Sequence, residues 1–185
     1  MGKSTEETPK RINSKRKGGK NERAIAKLFT KWTGLEFAKT PASGGLRWKN
    51  QVDVVGDIVC TDKKKYSFKF CVEAKFHSEL NFQSLIGNNK SEVIKFWVQA
   101  LKEGERSKKV PILMMRYNRM AKDVHYIGVS VEVFRLLQTN LNPQFPKGYM
   151  EIYTNGYQLV LCDSRDFFAI PYLDIKPIIK TYIKG

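Results

Sequence analysis

Cysteine and histidine are scarce here: three cysteines and two histidines in 185 residues. Cys60, Cys71 and Cys162 are widely separated, form no CxxC and leave an odd one over. That pattern argues against a disulfide frame or a cysteine zinc site and predicts reduced, partly buried strand residues. His77 and His125 are too isolated to suggest a metal cluster. Long apolar runs are also missing, since none approaches 18 residues. The first twenty residues, "MGKSTEETPKRINSKRKGGK", contain no signal-peptide core. Membrane spanning and secretion are therefore disfavoured, and a cytoplasmic location without a membrane partner is expected. Acidic residues are few, 18 against 33 lysines and arginines, for a net charge of +15. Such an excess suits a polyanionic partner, either nucleic acid or an acidic membrane surface.

What is present suffices for a core, because 42% of the residues are hydrophobic. The length suits one domain with appendages, and no internal repeat is visible. Residues 1–20 lack periodicity and read as a flexible basic arm, leaving 21–185 as the folded domain. From Asn21, a plausible N-cap, the stripe Ile25, Leu28, Phe29, Trp32 predicts a helix stopped by Gly34. "LEFAKT" predicts a short strand, "VDVVGDIVC" a buried one, and "SFKFCVEAKF" a third. "ELNFQSLIGNNK" predicts a short helix ending near Gly87, and "SEVIKFWVQALKEG" a longer one terminated by Gly104. "VPILMMRY" and "KDVHYIGV" predict strands, and "SVEVFRLLQTN" a helix with Ser130 as N-cap. Pro143 and Pro146 mark a loop. "YMEIYTNGYQLVLCD" predicts a hairpin turning at Asn155-Gly156. "YLDIKPIIKTYIK" predicts a final helix disturbed by Pro177.

The third strand carries the first chemical signal. Alternation puts Phe68, Phe70, Val72, Ala74 and Phe76 on one face and Cys71, Glu73 and Lys75 on the other. An edge strand with a wet side would account for the Glu-x-Lys pair, and such short motifs recur by chance. Asp57 adds weight, because an acid inside "VVGDIVC" is expensive to bury without a compensating charge. Adjacent strands ending at one edge can bring Asp57 and Glu73 onto one divalent cation. Magnesium suits that arrangement, since it takes oxygen ligands and bridges to phosphate. Lys75 could position or deprotonate a water, or stabilise developing phosphate charge. Glu22 stacks with Ile25 and Phe29 at the edge of its stripe, where it can look toward the fold. A helix-start acid would look the same.

The ordered set "KGGKNERAIAKLF", "TPASGG", "VGDIVC", "CVEAKF" and "FWVQALKEGERSKKVPILMMRY" resembles the PD-(D/E)xK nuclease superfamily. Within it, the likeness is to Holliday-junction resolvases of the archaeal and phage type, over roughly Gly18–Tyr117. The resemblance implies an α/β, restriction-endonuclease-like αβββαβ core with a mixed central sheet, over residues 21–120. It leaves 121–185 as a C-terminal extension. It also implies Asp57 and Glu73 as metal ligands, with the Ala74 carbonyl, and Lys75 as the catalytic lysine. Glu22 becomes the helix-borne acid helping metal or water binding, and Ser43 a loop serine near the scissile phosphate. Gly56 stands where proline is usual before the aspartate, and Asp53 is a rival acid in the same segment. The expected cofactor is Mg2+, with Mn2+ substituting, and the expected partner is branched double-stranded DNA cut by a homodimer. Another nuclease of the superfamily, or a non-catalytic basic nucleic-acid-binding protein, is the alternative.

Cations complete the expected DNA-binding set: Lys15, Arg16, Lys17 and Lys20 in the arm, and Lys39, Arg47 and Lys49 around the glycine-containing loop. Trp48 could stack on an unpaired base or simply pack. Gln99 shares a polar helix face with Glu92, Lys95 and Lys102. Relatives often place a glutamine on this helix near the site, yet a solvated face is the preferred reading. Arg116 and Arg119 would extend the basic surface.

Overall fold

The computed structural model describes residues 14–41, 55–62, 68–85, 91–121, 123–141, 145–154 and 156–184. The expected αβββαβ order is present. Helix α1 (Ser14–Thr33) is followed by strands β1 (Phe37–Lys39), β2 (Ile58–Cys60) and β3 (Phe70–His77). Helix α2 (Glu92–Ser107) then crosses to β4 (Val110–Tyr117). Beyond it come β5 (Tyr126–Val129), α3 (Val131–Asn140), the hairpin β6 (Tyr149–Thr154) and β7 (Tyr157–Asp163), then α4 (Ser164–Ala169) and α5 (Tyr172–Lys184). One mixed sheet runs β1-β2-β3-β4-β5-β7-β6. Only β3 and β4 are parallel, as the α2 crossover between them requires.

Strand alternation splits the core into two layers. Phe70, Val72 and Ala74 of β3, with Ile112 and Met114 of β4, pack under α1 beside Ile25 and Phe29. Leu113 and Met115 face the other way, against Val93, Trp97 and Ala100 of α2. The sheet passes from β4 into β5 without a break. Ile127, Phe134, Val160, Ile175 and Ile179 share the α1-side core, so the C-terminal region completes that layer. α5 runs through Pro177, and Ser130 caps α3 as expected, its hydroxyl accepting from Val133 N at 3.2 Å.

Several expectations need correction. α1 begins at Ser14, not at Asn21, so Ser14–Lys20 is helical where an unstructured arm was expected. Asn21 is buried within the helix and is no cap: its Oδ1 lies 3.0 Å from Nε2 of His125. Tertiary packing of the inner face carries the helix through Gly18 and Gly19, against their low intrinsic propensity. Within the described part of "VDVVGDIVC", residues 55–60, the strand covers Ile58–Cys60, and Gly56 turns the chain before it at φ +82°. "ELNFQSLIGNNK" gives a single 3-10 turn, Phe82–Leu85, and Gly87 lies outside the described residues. The short α4 was not foreseen; Asp163 starts it by accepting from Arg165 N at 2.8 Å.

Gly104 is the most instructive correction. It does not end α2, which continues to Ser107 and closes on Lys108 in the left-handed region. Gly104 is buried, and a Cβ there would stand 2.9 Å from the Lys109 carbonyl oxygen and 3.0 Å from Pro111 Cδ. The residue is glycine because the chain folds back on the helix at that point. Propensity alone would make Gly104→Ala stabilising by about 1 kcal/mol. The backbone clash predicts the opposite sign, a loss of roughly 1–3 kcal/mol. Urea denaturation of the two proteins reads the sign directly.

Candidate active site

β2 and β3 pair only at Ile58 and Val72, and Asp57 stands where they part. Asp57 N donates to Val72 O at 2.9 Å, and Thr40 N donates to Asp57 O at 2.8 Å. Its backbone is thus held from both sides. Its side chain then reaches back, and Ala74 N donates to Asp57 Oδ2 at 2.9 Å. The turn behind it depends on Gly56: a Cβ would sit 2.6 Å from Val72 O, and φ +82° is closed to proline. The glycine noted in place of the usual proline therefore has a local steric reason.

Glu73 lies on the opposite face of β3, between Leu113 on β4 and helix α2, and only 2% exposed. Lys75 Nζ bonds its Oε1 at 2.5 Å. Burial pushes the Glu73 carboxyl up to about 7, and the charge and hydrogen bonding of Asp57 push the same way, while Lys75 pulls it back. The two carboxyl groups therefore meet at the β2–β3 opening. Ala74 presents its carbonyl to the same strand edge as its N–H, beside Asp57.

Glu22 pairs with Lys39 across 3.1 Å, and Lys39 precedes Thr40, whose N–H donates to Asp57 O. Among the described residues, no three carboxylate, histidine or cysteine side chains are gathered as a metal site. Lys17 Nζ lies 6.0 Å from the ring centroid of Phe76, and Arg16 and Lys20 are exposed on α1. Gln99 is exposed on α2. Ser43, Arg47, Trp48, Lys49 and Asp53 lie outside the described residues, as does the side chain of Lys15. Arg116 is not free surface: its guanidinium donates to the carbonyls of Met120, Ala121 and Val124, tying down the loop after β4.

Two residues were passed over. His77 extends the alternation of Glu73 and Lys75 by one step, and its Nε2 lies 3.0 Å from Glu92 at the start of α2. Phe96, on the same helix, lies beneath Lys75, with Nζ 5.6 Å from the ring centroid. The two-residue period was visible in the sequence; the helix facing it was not. His125 is the other, 1% exposed and bonded to Asn21, the residue before Glu22. Burial, then the Arg116 charge, lowers its pKa to about 4.

Residues 13–177 match the model of a family described as "Phage putative PDDEXK endonuclease". Protein D14 of Escherichia phage T5 is 28% identical over 109 residues, covering 58% of this chain and 67% of that protein. No solved structure matches.

His125 and Glu73 give stability opposite pH dependences. Between pH 6.5 and about 4 the unfolded chain protonates its histidine while the folded His125 stays neutral, so stability falls as pH falls. Glu73 holds its proton in the fold up to about 7, against 4.5 ordinarily, so its contribution is lost as pH rises through that interval. Glu73→Gln should expose the histidine contribution. Its unfolding free energy should drop on acidification by about 3 kcal/mol more than that of Glu73→Gln/His125→Gln. Urea titrations between pH 4 and 7 measure the difference, and parallel profiles would refute it.

Proposed function

The chain belongs to this family of phage PDDEXK endonucleases, and on that basis we propose that it hydrolyses DNA phosphodiesters with a divalent metal, magnesium first. The observation that carries this reading is the convergence of Asp57 and Glu73 where β2 leaves β3, with Lys75 bonded to Glu73. Two carboxyl groups held together, one of them buried, resist ionising side by side and suit a cation. Asp57, Glu73 and the Ala74 carbonyl would hold the metal, and Glu22 would assist from α1. All are hard oxygen donors of the kind magnesium takes. When bound, such an ion polarises the phosphate and lowers the pKa of a coordinated water.

The protein's own groups supply the rest. Lys75 is oriented by Glu73 and by the face of Phe96, which holds its ammonium beside the carboxyl pair. There it can balance charge growing on the phosphate, or take part in moving a proton from the attacking water. His77, held by Glu92, stands one alternation further along the same strand. Preference for four-way junctions, and action as a homodimer, rest on the resemblance of Gly18–Tyr117 to junction resolvases. Ser43, Arg47, Lys49 and Gln99 are assigned to phosphate contact on the same footing. The basic excess of the whole chain supports a polyanionic substrate.

Asp57→Asn and Glu73→Gln should each lower magnesium-dependent cleavage by roughly 10²-fold or more. DNA affinity should stay close to wild type, because binding rests on lysines and arginines. Full activity in Asp57→Asn would overturn the site and promote Asp53. Substrate class is read by comparing a four-way junction with duplex of equal length and sequence. A resolvase should bind the junction more tightly and make paired cuts in opposite strands. Equal affinity with a monomeric active species would leave a nuclease acting on linear DNA.

A further inference from the structure

Five cations recur along α1 at steps of four, three, four and four residues: Arg16, Lys20, Arg23, Lys27 and Lys31. At 3.6 residues per turn they share one face, and all five are exposed. That face is turned away from Ile25 and Phe29, which pack in the core. Among the described residues none of the five forms an ion pair. Glu22, the one acid in the helix, is taken by Lys39.

An ordinary solvated helix face mixes both signs, and α2 shows what that looks like. Its Lys95, Lys102 and Arg106 alternate with Glu92, Glu103 and Glu105, and Arg106 pairs with Glu103. α1 has no such compensation. Its first turn lacks an acid, so Arg16 and its neighbours meet the positive end of the helix dipole. Like charges three and four residues apart repel as well. The ridge thus disfavours the helix that carries it and, among the described residues, has no paired counter-charge. An external polyanion would compensate it. From Arg16 to Lys31 the ridge is about 22 Å long, which spans roughly six nucleotide steps of one strand.

We propose that the outer face of α1, Arg16–Lys20–Arg23–Lys27–Lys31, is a docking surface for the DNA phosphate backbone. It holds a segment of DNA lying outside the Asp57–Glu73 site. The inference deepens the nuclease reading and rests on its choice of DNA as substrate. The contacts are to phosphate, so the surface is indifferent to sequence and adds affinity without entering the chemistry.

The test is the triple variant Arg23→Gln/Lys27→Gln/Lys31→Gln in the full chain, which keeps long, helix-compatible side chains. Binding to a 30-base-pair duplex is followed by fluorescence anisotropy in EDTA between 50 and 200 mM NaCl. The slope of log affinity against log salt should become shallower by about 2–3, and Kd at 0.1 M NaCl should rise at least about tenfold. The cleavage rate at saturating DNA with magnesium should be unchanged. The melting temperature without DNA should stay equal or rise, which separates lost contacts from lost fold. An unchanged slope and Kd would overturn the proposal. So would unchanged DNA binding accompanied by lost affinity for phosphatidylserine vesicles, which would assign the ridge to a membrane surface. If the wild type shows the steep slope but never cuts DNA, the nuclease reading falls and the docking surface stands. If it cuts and the slope does not respond, only the docking surface falls.

Discussion

A carboxylate standing in for a missing strand shapes the centre of this molecule. β2 ends its pairing with β3 at Ile58 and Val72, leaving the N–H of Ala74 without a ladder partner. Asp57 supplies the acceptor from its side chain. The sheet can therefore part without abandoning a backbone donor. Gly56 sets the turn that makes the reach possible, and Thr40 and Val72 pin the Asp57 backbone on either side.

The same opening explains the electrostatics. Glu73 sits on the apolar α2 side of β3, where ionisation is resisted by burial and by Asp57. Lys75 compensates in part, and α2 offers Phe96 and Glu92 to hold Lys75 and His77 in a row above the strand. A strand at the junction of two core layers can hold such a row rigidly, since its other face is locked under α1 by Phe70, Val72 and Ala74. Chemistry requiring fixed charge placement is well served by a rigid strand, with loops left to deal with the substrate.

Much of this was legible in the sequence, for identifiable reasons. Period-two alternation put Glu73 and Lys75 on one side of β3, and an acid in a Val/Ile run marked Asp57 as costly. Ser130 announced its helix because an N-cap is a local device. What failed to show was whatever depended on distant partners. Asn21 looked like a cap because its bond to His125 spans 104 positions. Gly104 looked like a stop because its close neighbours, Lys109 and Pro111, reach it only after the chain turns. Arg116 looked like free surface because the three carbonyls that bind it belong to a loop without any motif. The pairing of Glu22 with Lys39 on β1 did not show either, since no spacing rule encodes that choice.

The contacts holding α1 also bear on how the chain folds. Asn21 is bonded to His125, and Trp32 Nε1 donates to Ile170 O across 138 positions. The first helix therefore cannot acquire its final environment until the last quarter of the chain is in place. Contacts so far apart must pay loop-closure entropy before they return any packing, which slows collapse into the native topology. During synthesis the amphipathic helix would wait with its apolar stripe uncovered and its outer face densely positive, a repulsion that keeps nascent chains from associating through that helix. The strand that carries Glu73 has its opposite face closed by α1, so its full support would be reached only at the end. Late assembly of this kind leaves incomplete chains without an organised carboxylate pair.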